Sequence, residues 1–145
     1  MRAAFHSVIL EDRILFYYAG SASKHGTNYD LSLKKAIGMD IGVATLRRDG
    51  WVSLNAGEKS GTLVTKPFPL PKGNLHLNVD ASNGQVQVAL IDPAGKIEAQ
   101  SKTITGNQLD TSVLFPKPKL PPGTSVQLQI TAKKAKLYSY WFDEK

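Results

Sequence analysis

The chain has 145 residues, 18 basic and 12 acidic groups, a formal net charge of +6 and no cysteine. A domain of this size buries roughly 70% of the surface its unfolded form exposes, so no staple is required, and the lack of cysteine excludes disulfides, thiolate metal sites and thiol nucleophiles. Residues 1–66 and 67–145 each hold nine basic and six acidic groups, and only Arg2, Arg13, Arg47 and Arg48 are arginine, so nucleic acid is not an expected partner.

The first ten residues contain a brief apolar run, Val8 to Leu10, cut off by Glu11-Asp12-Arg13. That is neither a signal-type apolar core nor a span of ~20 apolar residues, so a non-membrane chain is expected and its location is left open. Next, "RILFYYAGSASKHG" reads as an apolar strand that turns Tyr17 and Tyr18 to opposite faces and runs into a small polar loop ending at His25-Gly26. "DLSLKKAIG" is the one helix signal, good for one or two turns between an Asp30 N-cap and a Gly38 stop. "GMDIGVATLRRDGWVSLNAG" predicts a hairpin at Asp49-Gly50 that sets Arg48 against Trp51 and Arg47 against Val52. Its first strand, Ile41 to Leu46, is almost continuously apolar or small, the pattern of a strand covered on both faces. A soft boundary at "GEKSG" (Gly57 to Gly61) separates residues 1–58, a set of extra strands, from a sandwich over 59–145.

Beyond the boundary, runs of Val, Ile, Thr and aromatics alternate with turn signals every ~8–12 residues, the pattern of an antiparallel sandwich or barrel. "NLHLNVDASNGQVQVALID" predicts a hairpin with a two-residue Asn83-Gly84 turn, pairing Ala81 with Val86, Val79 with Val88 and Leu77 with Leu90 on one apolar face. The other face then carries His76, Asn78, Asp80, Gln85 and Gln87. Asp92-Pro93-Ala94-Gly95 supplies a second tight turn. "FPKPKLPPG" holds four prolines and reads as a stiff crossover at the rim. "TSVQLQIT" alternates Val126, Leu128 and Ile130 inward, Lys133, Lys134 and Lys136 fall in a solvated turn, and "AKLYSYWF" is a last, aromatic strand. The expected fold class is all-β: an antiparallel β-sandwich of jelly-roll or lectin type preceded by a few strands.

Taken in order, "RILFYYAG", "HG", "IGVATLRRDGWVSLNAGEKSGTLVTKPF", "LHLNVDASNGQVQVALIDPAGK" and "AKLYSYWF" resemble the C-terminal region of predicted glycoside hydrolases related to the invertase and fructanase group. The resemblance covers most of residues 8–142. It implies that the leading strands belong to the last blade of a five-bladed propeller, with a sandwich after it, and a secreted or cell-envelope setting. The family's catalytic motifs, of the Asp-Pro-Asn, Arg-Asp-Pro and Glu-Cys types, do not occur here. Because glycoside cleavage needs two carboxyl groups flanking the scissile bond, the expectation is a part that is not an enzyme by itself, without a cofactor.

The residue types support no stronger chemistry. The three histidines, His6, His25 and His76, have no second ligand at a metal-like spacing, and no nucleophile elbow or phosphate loop is present. Sugar contact is the remaining candidate, carried by Tyr18, His25, Trp51, His76, Asn78, Asp80 and Gln87: aromatic rings take the apolar face of a pyranose, and amides, acids and imidazoles take its hydroxyls. Core packing for Tyr18 and Trp51 and a solvated sheet face for the polar set are the structural alternatives. The expected partners are carbohydrate, a propeller domain, or a second copy joined through exposed sheet edges, with weak lysine-mediated nucleic-acid binding as the last alternative.

Overall fold

A computed structural model describes residues 2–3, 6–20, 29–30, 35–36, 40–116 and 120–143. Strands are antiparallel throughout, and no helix occurs among the described residues, so the protein is all-β. The chain forms two units, Met1–Arg48 and Asp49–Lys145.

The first unit contains β1 (Arg2–Ala3), β2 (Val8–Ile9), β3 (Arg13–Gly20), β4 (Tyr29–Asp30), β5 (Lys35–Ala36) and β6 (Asp40–Arg47). β3 is central: it pairs along its full length with β6, from Arg13 opposite Arg47 to Gly20 opposite Asp40, and its other edge takes β1 and β2. Residues 31–34 and 37–39 of the helix expected over 30–38 lie outside the described residues; of the rest, Asp30 ends β4 and Lys35–Ala36 form β5, and the two pair as a short ladder. The strand over 41–46 is not covered on both faces, since Ile41 and Val43 are 77% and 48% exposed.

The hairpin expected at Asp49-Gly50 is also absent. The Arg48 N–H donates to the Asp12 carbonyl at 3.0 Å, extending the β3–β6 ladder by one step. Asp49 then takes φ +52 while Gly50 does not follow it into the left-handed region, so the two-residue turn with both φ positive never forms.

The second unit contains β7 (Leu54–Ala56), β8 (Gly61–Val64), β9 (Phe68–Pro69), β10 (Leu75–Ile91), β11 (Ile97–Gln100), β12 (Ile104–Ser112), β13 (Ser125–Lys133) and β14 (Ala135–Phe142). They form one large, nearly closed sheet of sandwich or barrel type. Its plan is simpler than eight strands suggest. β13 pairs with β10 from Ile91 to Gln85, and β14 continues along the same strand from Asp80 to Leu75. On the opposite side, β11 and β12 follow β10 from Ile91 back to His76. β7, β8 and β9 do the same along the outer edge of β13 and β14. Four long strands therefore lie side by side, each bent near its middle, and the bent sheet folds over its own core.

The predicted Asn83-Gly84 hairpin is thus a bend, not a reversal. Both halves of β10 already have neighbours on each side, which leaves no edge for them to pair with each other. Asn83 and Gly84 do not have positive φ, as the primed turn would need. Gly84 is required for another reason: a Cβ there would collide with the backbone carbonyls of Lys133 and Lys134, which cross it at the bend. Lys134, at φ +48, makes the matching bend between β13 and β14, and its N–H donates to the Gly57 carbonyl at 2.9 Å. The lysines of this segment are exposed on the bend.

Inward positions change parity at each bend. Leu75, Leu77, Val79 and Ala81 precede the β10 bend, and Val86, Val88 and Leu90 follow it; Val126, Leu128 and Ile130 precede the Lys134 bend, and Ala135 and Leu137 follow it. All of them join one buried cluster, so each bend holds an odd interruption that keeps the apolar side of both halves facing inward. The expected turn at Asp92–Gly95 is present: the Gly95 N–H donates to the Asp92 carbonyl at 2.9 Å, and Asp92 Oδ1 accepts from the N–H groups of Ala94 and Lys96 at 2.9 and 2.8 Å.

Candidate functional site

At one end of the second unit, residues 70–74, 113–115 and 120–122 frame a cleft of about 400 Å³. Short backbone bonds fix its rim: Leu70 N–H to Thr124 carbonyl at 2.8 Å, Gly123 N–H to Leu70 carbonyl at 2.8 Å, and Val113 N–H to Leu75 carbonyl at 2.8 Å. Leu75, Leu90, Ala99 and Val113 form a buried floor continuous with the core. Leu114, Phe115, Leu120 and Phe142 supply apolar walls, and Phe142 is held edge-on to Phe68 at 6.0 Å. The side chains with charge or amide groups on this lining are Lys72 and Asn74. Prolines 71, 121 and 122 stiffen the frame by fixing φ, so little order has to be gained when something enters.

Beside the cleft lies a polar cluster built around His76. His76 sits between two carboxylates, with Nδ1 2.5 Å from Asp110 Oδ1 and Nε2 3.4 Å from Asp143 Oδ2, and its ring stacks on Trp141 at 5.5 Å and 19°. The shorter contact assigns the donor hydrogen to Nδ1. Nε2 is buried and makes no hydrogen bond among the described residues, so its 3.4 Å approach to Asp143 is an electrostatic contact only. Asp143 is committed elsewhere: it accepts from the Asn74 backbone N–H at 2.5 Å and from Asn74 Nδ2 at 3.2 Å, and its own N–H donates to the Asn74 carbonyl at 3.0 Å. The two acids converge on an imidazole rather than across an open groove; Asp143 closes the end of β14 against the start of β10, and Asp110 ties β12 to it through His76.

The sequence candidates do not gather into one site. Tyr18 lies in β3 with its ring over Gly42, where a Cβ would collide with it. His25 lies outside the described residues. Trp51 is 65% exposed in the stretch between β6 and β7 that belongs to no strand. His76 is clamped as described. Asn78 is 1% exposed and therefore presents no surface; it stands where the registers with both β12 and β14 shift. Asp80 accepts from the Ser82 N–H and hydroxyl at 3.2 and 2.7 Å, beside a shallow hollow shared with Asn55, Asn83, Lys134 and Lys136. Gln87 donates to the Ser101 carbonyl at 3.1 Å, next to the buried Ser101 hydroxyl that accepts from the Val88 N–H at 2.9 Å. Because β10 bends, His76 to Asp80 and Gln85 to Gln87 belong to different layers, and the single polar face expected from the hairpin does not exist.

Sequence reasoning missed the cleft. Its signal was present: Leu114, Phe115 and Leu120 are large apolar residues inside a proline-rich connection, where solvated loop residues would be polar. No group of three or more His, Asp or Glu side chains suited to a metal ion occurs among the described residues. Comparison with protein-family models, with curated proteins and with solved structures finds no match to this chain, and none of the three links it to glycoside-hydrolase propellers.

Proposed function

We propose that the chain is a non-catalytic accessory β-sandwich whose working surface is the cleft, which takes the apolar body of a small organic ligand and meets its polar end at Lys72. One observation carries this reading: the side chains best equipped for chemistry are spent on one another, while the cleft is lined mainly by apolar side chains. Its volume falls in the range of small-molecule sites, roughly 300–1,000 Å³, which are mostly apolar with a few polar groups to orient the guest. A glycan would require more hydroxyl partners than Lys72 and Asn74 provide.

Titration of the native chain with 8-anilinonaphthalene-1-sulfonate, an apolar body with one anionic end, tests the proposal. Saturable binding is expected, weakened about tenfold, or about 1.4 kcal/mol, by Leu114→Asp at the exposed rim and unchanged by Trp51→Ala. Equal binding by Leu114→Asp, or oligosaccharide binding that depends on Trp51, overturns it. So does turnover of aryl glycosides that is lost with a single carboxylate.

A further inference from the structure

The cleft and the His76 cluster meet at Asp143. This residue follows Phe142, a wall of the cleft, and its carboxylate accepts from the backbone and side-chain N–H groups of Asn74 on the rim. It also lies against Gly73, where a Cβ would collide with the Asp143 carbonyl and Oδ1. Rim and acid are therefore held together. The Oδ2 that accepts from Asn74 Nδ2 at 3.2 Å is 3.4 Å from His76 Nε2, which is buried and makes no hydrogen bond among the described residues. With the ring hydrogen on Nδ1, toward Asp110, Nε2 presents a lone pair to an acceptor oxygen. One solvent proton converts that contact into a charge-assisted hydrogen bond. The charged groups around the ring come from three segments: Asp110 from β12, Asp143 from the end of β14, and Lys72 from the cleft lining that leads into β10. The residues directly opposite His76 in the ladders, Ser112 and Trp141, carry no charge.

We propose that a proton on His76 Nε2 tightens the cleft for an anionic guest. The inference rests on the cleft reading above and adds its regulation. The protonated ring donates to Asp143 Oδ2, and a carboxylate oxygen has lone pairs for both this donor and Asn74 Nδ2. Asp143 is then fixed from both sides, and with it Gly73, Asn74 and the Phe142 wall, so less order has to be gained when a guest enters. The added positive charge acts in the same direction, because the polar end that meets Lys72 is anionic. Linkage makes the effect reciprocal: binding of the guest draws a proton onto His76.

8-Anilinonaphthalene-1-sulfonate is again the probe, since its sulfonate stays ionised throughout. Its affinity for the full native chain should rise about tenfold from roughly pH 8 to roughly pH 5.5, the range in which histidine ordinarily titrates, and should stay flat in His76→Gln. Calorimetry near neutral pH, in buffers of different ionisation enthalpy, should show proton uptake on binding by the native chain and none by His76→Gln. A third readout needs no variant: in the native chain the Asn74 side-chain amide resonances should shift in step with the His76 ring across the same range. Saturable binding of equal affinity at both pH values, a pH dependence kept by His76→Gln, binding without proton uptake, or Asn74 amides that ignore the His76 ring would each overturn the coupling and leave the cleft reading intact. No saturable binding at either pH would overturn both.

Discussion

His76 and Asn78 show how polar side chains come to be held inside an apolar sandwich. A buried polar group is best tolerated when its partners are in place, and His76 sets Nδ1 against the Asp110 carboxylate and stacks its ring on Trp141, while its buried Nε2 is left without a hydrogen bond among the described residues. Asn78, fully buried between two register shifts, stands where the ladder has gaps that an amide can fill. Asn78→Ala should therefore destabilise the protein by about 1–3 kcal/mol, and Asp143→Ala by a similar amount because it strands the Asn74 amides; chemical denaturation measures both. Asp12 is a contrasting case. Its carboxyl is held below the usual range by the side-chain hydrogen bond from Arg13. A lowered folded-state value adds stability above the unfolded value and loses it as pH falls through the folded one. The pair is solvent-exposed and screened, so Asp12→Asn should leave the acid limb of the unfolding curve where it is.

At the level of elements, the four long strands explain what the sequence could and could not reveal. The inward set Leu77, Val79, Ala81, Val86, Val88 and Leu90 was legible, and all six are buried. Their connectivity was not. A two-residue hairpin and a mid-strand bend with an odd interruption change parity in the same way, so the alternation of β10 fits both, and Asn-Gly tips the reading toward the turn. What separates them is non-local: the neighbours on both sides of each half of β10. The Asp92–Gly95 turn was readable because its cue is local, one carboxylate capping two N–H groups. Gly84→Ala adds a clash with the carbonyls of Lys133 and Lys134, so a loss of about 1–3 kcal/mol is expected, read from the denaturation midpoint.

For the whole molecule, all-β architecture followed from composition and turn spacing, whereas the candidate site did not. The sugar-contact set rested on one polar face, and the bend of β10 distributes that face over two layers. The cleft depends on where Leu114, Phe115 and Leu120 meet the end of the sheet, a tertiary fact that no periodicity carries. The cleft proposal follows from apolar surface that the fold leaves accessible, and the His76 coupling from the acid that joins Asn74 to the end of β14. The account as a whole rests on β10 bending without reversing. Nuclear Overhauser contacts between backbone protons test this directly: close contacts are predicted between Asn78 and Ser139 and between Gln87 and Thr131. Cross-strand contacts of Val79 with Val88 and Leu77 with Leu90 would instead establish the hairpin and contradict the folded-over sheet.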